Sequence, residues 1–388
     1  MTSSPKPSSN SPGNSKKVRD PDAELPPSCR GAVFDPKTRK LEIREFDLAA
    51  PEPEEAIVRV ASSAICGSDI HTFLGHRTPE GPLILGHEIC GVVSRLGENL
   101  SRDAAGEPLA PGDRVTWSVA ASCGHCFYCG DGLPQKCATL FKYGHESVDT
   151  LPPLNGGFAD FIYLAPGSAI YKIPDSLEFD QVVFANCAMA TVAAAHRTAN
   201  IRPGQAVLIQ GAGLLGLCAA ALASASGCRA VLVTDTFPER LKLAREFGAT
   251  HILRVDEAGP GGLEAFSREV AGSYGFDAAI EVCGHPPAVA EALPALKQGA
   301  AYALAGCVFP GALAEIDLRL VTTRLLRLSG VHNYAPGDLL TALRFLEAHH
   351  DRFSFNRVVG KSFPLARIAE AFDYAIANKD VLRVAVKP

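Results

Sequence analysis

One segment of the sequence joins a strand pattern, a glycine-rich turn and a helix pattern without interruption. Residues 206–210 read AVLIQ, residues 211–216 read GAGLLG, and an apolar helical stretch runs over 214–226. Glycines at this spacing allow a tight turn, the close approach of a pyrophosphate and the packing of helix against strand. Gly211, Gly213 and Gly216 would serve these purposes in that order. The segment therefore predicts a dinucleotide site at a helix N-terminus.

The patterns on either side predict the domain organisation. Between residues 178 and 332, apolar runs typical of buried strands alternate with helical stretches, which indicates a doubly wound parallel sheet. Residues 29–177 instead show short apolar runs broken by Gly and Pro, which favours a β-barrel. Residues 333–388 end in a strand pattern at 382–387, and we expect this segment to return to the barrel. The predicted class is α/β, with a barrel domain and a dinucleotide-binding domain.

The acidic residue after the second strand of the parallel sheet bears on the choice of coenzyme. Asp235 lies 24 positions after Gly211. A carboxylate there can accept hydrogen bonds from the adenosine ribose and would repel a 2′-phosphate, which favours NAD over NADP. Arg240, five residues further on, weakens this preference. The alternative is that Asp235 is a solvated turn residue.

The charge balance excludes several classes of function. The chain has 37 basic and 42 acidic residues, for a net charge of −5, so it is not a strongly cationic nucleic-acid binder. No apolar run reaches the ~18 residues that a membrane span needs. We therefore expect neither nucleic acid nor membrane among the partners.

Twelve cysteines stand out in the composition. Residues 1–28 are rich in Ser, Pro, Lys and Asn and contain no apolar stretch typical of a secretory signal. We predict that they form a disordered tail; a transit peptide is the alternative. Without export, many cysteines indicate thiols or metal ligands rather than disulfides, and the expected location is the cytoplasm.

Four of the cysteines form a compact motif within residues 123–137. Their spacing is C-x2-C-x2-C-x7-C, at positions Cys123, Cys126, Cys129 and Cys137. Two-residue spacers let successive thiolates converge on one zinc ion, and four thiolates leave no open position on it. The motif therefore predicts a structural zinc lobe. Four unrelated thiols and a redox switch are the alternatives.

A second set of ligand-type residues is scattered along the chain. Cys66 begins the string CGSDIH, His87 lies in GHE, and Cys187 lies in NCA. Taken singly, each has an ordinary structural explanation, as a small core residue, a hydrogen-bonded turn histidine or a packed residue at a helix start.

These motifs taken together resemble the zinc-containing medium-chain alcohol dehydrogenase family. The resemblance runs from about Gly31 to the C-terminus and rests on the order CGSDIH, GHE, the four-cysteine lobe and GAGLLG. Within the family, the chain is similar to alcohol dehydrogenases associated with phosphonate catabolism. The strings WSVAASC at 117–123, GLPQKC at 132–137 and FKYGHE at 141–146 carry that similarity. The implied fold is a GroES-like β-barrel catalytic domain with a Rossmann coenzyme domain.

The resemblance implies a role for each matching residue. Cys66, His87 and Cys187 would ligate a catalytic zinc, with the fourth position open to water or substrate. Asp69 would hydrogen-bond to His87 and fix its tautomer, and Glu88 would be an acid able to ligate the metal transiently.

Ser68 and His71 match the family's proton relay, although the position of His71 is equally that of a plain surface histidine. The residues expected to contact the coenzyme are Thr191, Gly211, Gly213, Leu214, Leu215, Gly216, Asp235, Arg240, Val282, Gly306 and, at the pyrophosphate, Arg383.

The implied function is reversible oxidation of an alcohol to an aldehyde or ketone, with NAD and two Zn²⁺ per chain, in a homodimer or homotetramer. A polyol or amino-alcohol dehydrogenase is one alternative, and a non-catalytic NAD-binding zinc redox sensor is another. Basic residues at 74–77 and 142–145 flank the expected pocket. They suit an anionic alcohol such as a phosphonate, or else form a solvated rim.

Overall fold

The computed structural model describes residues 25–150 and 152–388. The largest sheet, which forms the barrel, has seven strands that all pair antiparallel except Val359–Pro364 with Arg383–Lys387. Two separate smaller sheets have three and two strands. In spatial order, the main path of the seven-stranded sheet is Ile170–Lys172, Arg114–Trp117, Glu88–Leu96, Ala56–Ile65, Arg383–Lys387 and Val359–Pro364, with Phe161–Leu164 paired to Ala56–Ile65. The smaller sheets contain Lys40–Asp47, Ser28–Asp35 and Leu83–Ile84, and Ala120–Ala121 with Phe141–Lys142.

The second body of the chain is built on a six-stranded sheet whose pairings are all parallel. Its spatial order is His251–Arg254, Ala230–Asp235, Ala206–Gln210, Phe276–Glu281, Leu296–Leu304 and Arg327–Gly330. Every residue of Ala206–Gln210 is buried, because helices cover both faces of the sheet. The chain order reverses beside this strand, and α/β folds bind ligands at the carboxyl end of such a switch point. The predicted α/β class with a doubly wound parallel sheet is confirmed.

The helices lie mainly around the parallel sheet. They are Gly67–Phe73, Phe127–Gly130, Phe179–Val182, Ala190–Thr198, Leu214–Ala225, Pro238–Glu246, Val255–Ala258, Gly262–Ala271, Pro286–Ala292, Leu318–Thr323, Pro336–His349 and Ile368–Ala377. Short 3-10 turns occur at Pro134–Lys136, Leu293–Ala295, Phe355–Arg357 and Leu365–Arg367, and one π-helical turn at Ala185–Met189. Across residues 25–150 and 152–388, no helix is long and apolar enough to cross a membrane.

The C-terminal segment returns to the barrel, as the sequence pattern predicts. Strand Arg383–Lys387 pairs antiparallel with Ala56–Ile65 and parallel with Val359–Pro364. Before it, helix Pro336–His349 packs beside Ala190–Thr198, where Arg197 donates two 2.9 Å hydrogen bonds to the buried Asp338. The return of the chain therefore ties the barrel to the coenzyme domain. The exact domain bounds stay a prediction.

The N-terminal boundary differs from the prediction of a tail over 1–28. Residues 1–24 lie outside the described part of the chain. Leu25 packs against the barrel core, Leu48 donates a 3.0 Å backbone hydrogen bond to Pro27, and the first strand begins at Ser28. Residues 25–28 therefore belong to the fold, because their backbone and apolar groups find partners in the barrel.

Candidate metal centres and coenzyme cleft

A buried carboxylate joins the two loops that carry Cys66 and His87. Cys66 directly precedes helix Gly67–Phe73, and Asp69 lies in the first turn of that helix. The Asp69 carboxylate accepts hydrogen bonds from the Cys66 amide at 2.8 Å and the Gly86 amide at 3.2 Å. It also lies 3.2 Å from Nδ1 of His87. Nε2 is therefore the ring nitrogen left free to bind a metal.

Cys187 reaches the same place from the π-helical turn Ala185–Met189, a rare geometry that often marks functional sites. The neighbouring Asn186 side chain fixes this turn, since its Nδ2 donates to the carbonyl of His87 at 3.0 Å. Its Oδ1 accepts from the Ile89 amide at 3.2 Å. Tyr334 donates its hydroxyl proton to the Asn186 carbonyl. Cys187 is thus held against the loop that carries His87.

The three side chains fit a zinc ion. The ligand atoms of Cys66, His87 and Cys187 lie within 4.8 Å of one another, and two sulfurs with one imidazole suit zinc with an open fourth position. The Cys187 thiol holds the pKa of Cys66 well below its ordinary value, while the same contact raises the pKa of Cys187. Burial opposes protonation of His87, but Asp69 and Cys66 raise its pKa to about 10. A bound cation would displace these protons.

Glu88 and Arg383 form a buried ion pair behind the three ligands. The guanidinium donates two 2.6 Å hydrogen bonds to the carboxylate, and its Nη2 lies 3.6 Å from Sγ of Cys66. Burial raises the pKa of Glu88 to about 7, against the opposing effect of Arg383. The third guanidinium nitrogen donates to the Leu382 carbonyl at 2.8 Å. The described contacts of Arg383 therefore all lie inside the protein, and its contact with a pyrophosphate stays a prediction.

A cavity of about 120 Å³ opens beside the three ligands. Its lining includes Ser68, His87, Cys187 and Thr191, together with Val331 from the end of the parallel sheet. Oγ of Ser68 lies 3.2 Å from Nε2 of His87.

The other member of the predicted relay, His71, lies outside the lining of this cavity. It is exposed, and its Nδ1 lies 3.0 Å from Nδ1 of His76. The structure brings Ser68 to the ligands and leaves His71 at the surface, one helical turn away.

The four-cysteine lobe has the dimensions of a closed metal site. Four sulfurs about 2.3 Å from one ion at tetrahedral corners lie about 3.8 Å apart. The sulfur of Cys126 lies 3.5 Å from that of Cys129 and 3.9 Å from that of Cys137, and Cys123 lies 3.5 Å from Cys137 and 4.0 Å from Cys129. The Cys123 amide, above all, lowers the pKa of Cys137 to about 6, which favours the thiolate. The residues therefore fit zinc with no open position.

The glycine-rich turn has the close contacts that its motif requires. Gly211 has φ +107°, and a Cβ there would lie 3.0 Å from the backbone of Cys283. At Gly216, a Cβ would lie 1.8 Å from the carbonyl oxygen of Gly211, so any side chain would push the helix off the turn. Helix Leu214–Ala225 begins directly after Gly213 and places the amides of Leu214 and Leu215 at its N-terminus.

Asp235 lies at the end of its strand beside the same turn. Its carboxylate accepts from the amides of Ala212 at 2.7 Å, Thr236 at 2.7 Å and Phe237 at 2.9 Å. Arg240 turns away from it, since its Nη2 donates to the Lys379 carbonyl at 2.6 Å. Asp235 is therefore held in place by the backbone, and Arg240 does not neutralise it.

The remaining predicted coenzyme residues lie at the carboxyl edge of the parallel sheet. Val282 follows strand Phe276–Glu281, and Gly306 follows strand Leu296–Leu304. Between them the buried Glu281 accepts from the amides of Gly284 at 2.6 Å and Gly306 at 3.0 Å. This carboxylate fixes the two loops that line the expected nicotinamide half of the cleft.

Sequence reasoning assigned no role to Asn186, Tyr334 or Glu281. Each is a buried residue with a polar group whose partners include residues distant in sequence. Their role in holding the loops of the site is therefore visible only in the folded structure. The position of Asn186 beside Cys187 was the one available signal.

Comparison with known proteins identifies the two bodies of the chain. Residues 52–175 match the alcohol dehydrogenase GroES-like domain, and residues 215–348 match the zinc-binding dehydrogenase domain. An alcohol dehydrogenase from Thermotoga maritima superposes with a TM-score of 0.87 at 26% identity, over 93% of this chain and 99% of that one. A protein from Sinorhizobium meliloti, described as a zinc-binding dehydrogenase bound to NADP, gives 0.80 at 25% identity over 93% and 99%.

Three relatives of known name align over most of their length. L-threonine 3-dehydrogenase of Anaeromyxobacter sp. is 31% identical over 335 residues, 84% of this chain and 90% of the relative. The 5-exo-hydroxycamphor dehydrogenase of Pseudomonas putida is 29% identical over 90% and 96% of the two chains. Sorbitol dehydrogenase of Bacillus subtilis is 28% identical over 94% and 98%.

The fold, the two cysteine-containing clusters and these alignments define a zinc-type dehydrogenase of alcohols or polyols. The chain belongs to the zinc-binding medium-chain alcohol dehydrogenase family, with a GroES-like domain and a Rossmann-type domain. It is therefore an oxidoreductase, and the hypothesis of a non-catalytic redox sensor is set aside. The similarities do not distinguish the phosphonate-associated subgroup from the rest of the family.

The geometry of the lobe predicts that Cys123→Ser removes its metal and destabilises the chain before it affects chemistry. Loss of one thiolate opens the closed site, so we expect about one metal ion fewer per chain and a melting temperature lower by more than about 5 °C. Elemental analysis and thermal unfolding measure both. Cys228→Ser, outside both clusters, is the control and should change neither. Normal stability with selective loss of turnover would contradict a structural role.

Proposed function

We propose that this chain oxidises an alcohol reversibly to an aldehyde or ketone, with NAD as hydride acceptor and two zinc ions per chain. One observation carries the proposal: His87 and Cys187 line the same cavity as Ser68 and Thr191, at the carboxyl edge of the parallel sheet. A metal and a nicotinamide placed there would share one small space with the substrate, which is what hydride transfer requires.

In this proposal Cys66, His87 and Cys187 hold a zinc ion, which when bound lowers the pKa of a substrate hydroxyl towards neutrality. Asp69 keeps the Nδ1 proton of His87, so the imidazole presents Nε2 to the site. Glu88, paired with Arg383, balances charge behind the ligands and is the acid available for transient ligation.

The hydroxyl of Ser68 would accept the substrate proton at its Oγ while it releases its own proton towards His71. His71 lies three residues further along the same helix, faces solvent, and would pass the proton to water. Partial desolvation, with the nearby charges of His76 and Arg77, lowers the pKa of His71. The ring is therefore neutral at pH 7 and able to accept a proton.

The coenzyme would lie along the glycine-rich turn, with its pyrophosphate at the N-terminus of Leu214–Ala225. Thr191, Val282 and Gly306 would line the nicotinamide half. Asp235 supports NAD over NADP because its negative charge is fixed at the strand end. One structural relative is bound to NADP, so coenzyme preference varies among chains of this shape.

Two substrate classes have specific support. The strings at 117–123, 132–137 and 141–146 favour an alcohol that carries a phosphonate. The sorbitol and threonine dehydrogenases among the relatives favour a polyol or an amino alcohol. A cytoplasmic location suits either proposal, since all twelve cysteines are free thiols.

Cys66→Ala tests the catalytic metal site. We expect one zinc ion fewer per chain and a turnover at least about 10³-fold lower, because the substrate hydroxyl loses its Lewis acid. Coenzyme binding, followed by the fluorescence of bound NADH, should persist. Cys218→Ala, at a buried cysteine of helix Leu214–Ala225, is the matched control. Full turnover in the Cys66 variant would show that the site is assigned wrongly.

Asp235→Ser tests the coenzyme preference. Removal of the carboxylate should lower the ratio of kcat/KM with NAD to that with NADP by at least about 10-fold, because a 2′-phosphate no longer meets a negative charge. Asp256→Ser, just after the end of the adjacent strand His251–Arg254, is the control. An unchanged ratio in the Asp235 variant would count against its contact with the ribose.

We also propose that the chain forms a homodimer or homotetramer through the edge of the parallel sheet. Strand Arg327–Gly330 ends that sheet, and beside it Phe309, Leu313 and Gly330 line an open cleft of about 1110 Å³. The Leu313 side chain is 85% exposed, which is unusual for leucine unless a partner covers it.

Light scattering should therefore give a mass at least twice the 40.9 kDa of one chain, and Leu313→Asp should lower it. Tyr274→Asp, at a side chain that is 86% exposed and absent from this cleft, is the control. A wild-type mass of one chain at micromolar concentration would contradict the proposal.

A further inference from the structure

The catalytic cavity carries two cations without partners. Arg77, from the turn after helix Gly67–Phe73, and Lys142, from strand Phe141–Lys142, both line it beside Ser68 and Cys187. Within residues 25–150 and 152–388, neither side chain has an ion-pair partner within 4.0 Å or a hydrogen-bond partner. Cations that are partly withdrawn from water are rarely left without an anion.

The anions near Lys142 are already engaged. The acidic groups that favour the charged form of its ammonium are the side chains of Cys187, Cys66 and Asp69. Asp69 already has three partners, the amides of Cys66 and Gly86 and the ring of His87. The two cysteines belong to the candidate metal site, where their sulfurs would bind the cation. Burial lowers the pKa of Lys142, so an anion in the cavity would stabilise the charged form of its ammonium.

The other groups around Arg77 and Lys142 are cationic or neutral and supply no negative charge to the two side chains. Arg77 acts on Lys142 as a like charge, and both act in the same sense on His332. The ring of His332 also lies in the cavity lining, and its Nδ1 is 2.6 Å from Nζ of Lys136. His145 packs on His87 with 5.3 Å between ring centres and is kept neutral by burial. Two like charges held this close to a small cavity are stabilised by an anion between them.

From this placement we propose that Arg77 and Lys142 form an anion subsite, so that the substrate is a small alcohol with a phosphonate, phosphate or carboxylate group. The proposal rests on the proposed dehydrogenase function and names the substrate class of that same site. The cavity of about 120 Å³ leaves room for a short molecule, with its hydroxyl at the metal ligands and its anionic group at the two cations. The arginine fork suits two oxygens of such a group, and the lysine acts as a point charge.

Steady-state kinetics with matched substrates test the subsite. The panel is 2-hydroxyethylphosphonate, 2-hydroxyethyl phosphate, 3-hydroxypropanoate and the neutral 1-propanol, each with saturating NAD and the zinc-loaded enzyme. We expect kcat/KM to be at least 10-fold higher for one or more anionic alcohols than for 1-propanol. The ranking of the three anions identifies the acidic group.

Charge-removing variants then show which residues are responsible. Lys142→Gln and Arg77→Gln should each raise KM for the preferred anionic alcohol by about 10- to 100-fold and lower the ratio of its kcat/KM to that of 1-propanol by at least about 10-fold. Lys142→Arg should restore most of the preference. Arg39→Gln is the control, because Arg39 lies against Gly75 in the neighbouring turn but does not line the cavity. No anionic preference, or a preference unchanged in both Gln variants, would overturn the subsite.

A binding measurement separates failure of the subsite from failure of the proposed function. With NAD saturating, methylphosphonate should raise the melting temperature of the wild-type enzyme, but not that of Lys142→Gln, whose own melting temperature shows whether it is folded. Oxidation of 1-propanol without any effect of methylphosphonate would reject the subsite alone. Protection by methylphosphonate without turnover of any alcohol would uphold the subsite and reject the dehydrogenase proposal.

Discussion

The carboxylate of Asp69 is the interaction on which the candidate active site depends. It is 1% exposed and accepts from the amides of Cys66 and Gly86 while it faces Nδ1 of His87. Two loops separated by about twenty residues are thereby held at one point. Charge-assisted hydrogen bonds of this kind are stronger than neutral ones, and a buried carboxylate without them would be costly. The protein's own hydrogen bonds thus hold Cys66 and His87 at one place.

Asn186 extends this arrangement to the third ligand. Its side chain bridges the backbone of the His87 loop, and its own carbonyl accepts the proton of Tyr334. Tyr334 in turn accepts from the Val119 amide at 2.9 Å, so the barrel, the π-helical turn and the chain after the parallel sheet meet in one buried network. A network whose members are all satisfied fixes a single geometry. The cavity lies between the barrel and the carboxyl edge of the parallel sheet because this network joins the two.

Local patterns in the sequence were sufficient to predict the parts of the molecule that short segments define. The strand at 206–210, the glycine-rich turn and the four-cysteine lobe each lie within a few residues, and the structure shows the strand and the close contacts of the turn and lobe. Contacts between distant residues could not be read in this way. Tyr334 meets Asn186 across 148 positions, and Arg383 meets Glu88 across 295. Such pairs carry no periodicity or spacing, so the polar support of the site emerges only from the fold.

The family resemblance supplied the set of ligands that single residues could not. Cys66, His87 and Cys187 each had an ordinary structural explanation, and only their order with the other motifs favoured a shared site. The structure brings their ligand atoms within 4.8 Å of one another. The predicted tail extends too far, to residue 28, because it was inferred from composition. The composition of residues 25–28 does not reveal that Leu25 packs against the barrel core.

Anomalous X-ray diffraction at the zinc edge, on crystals of catalytically active enzyme, tests the central claim most directly. The account predicts one anomalous peak about 2.3 Å from the sulfurs of Cys66 and Cys187 and about 2.0 Å from Nε2 of His87, beside the open cavity. A second peak should lie among the four sulfurs of the lobe. Active crystals without a peak at the first position, or with a fourth protein ligand closing it towards the cavity, would contradict the account.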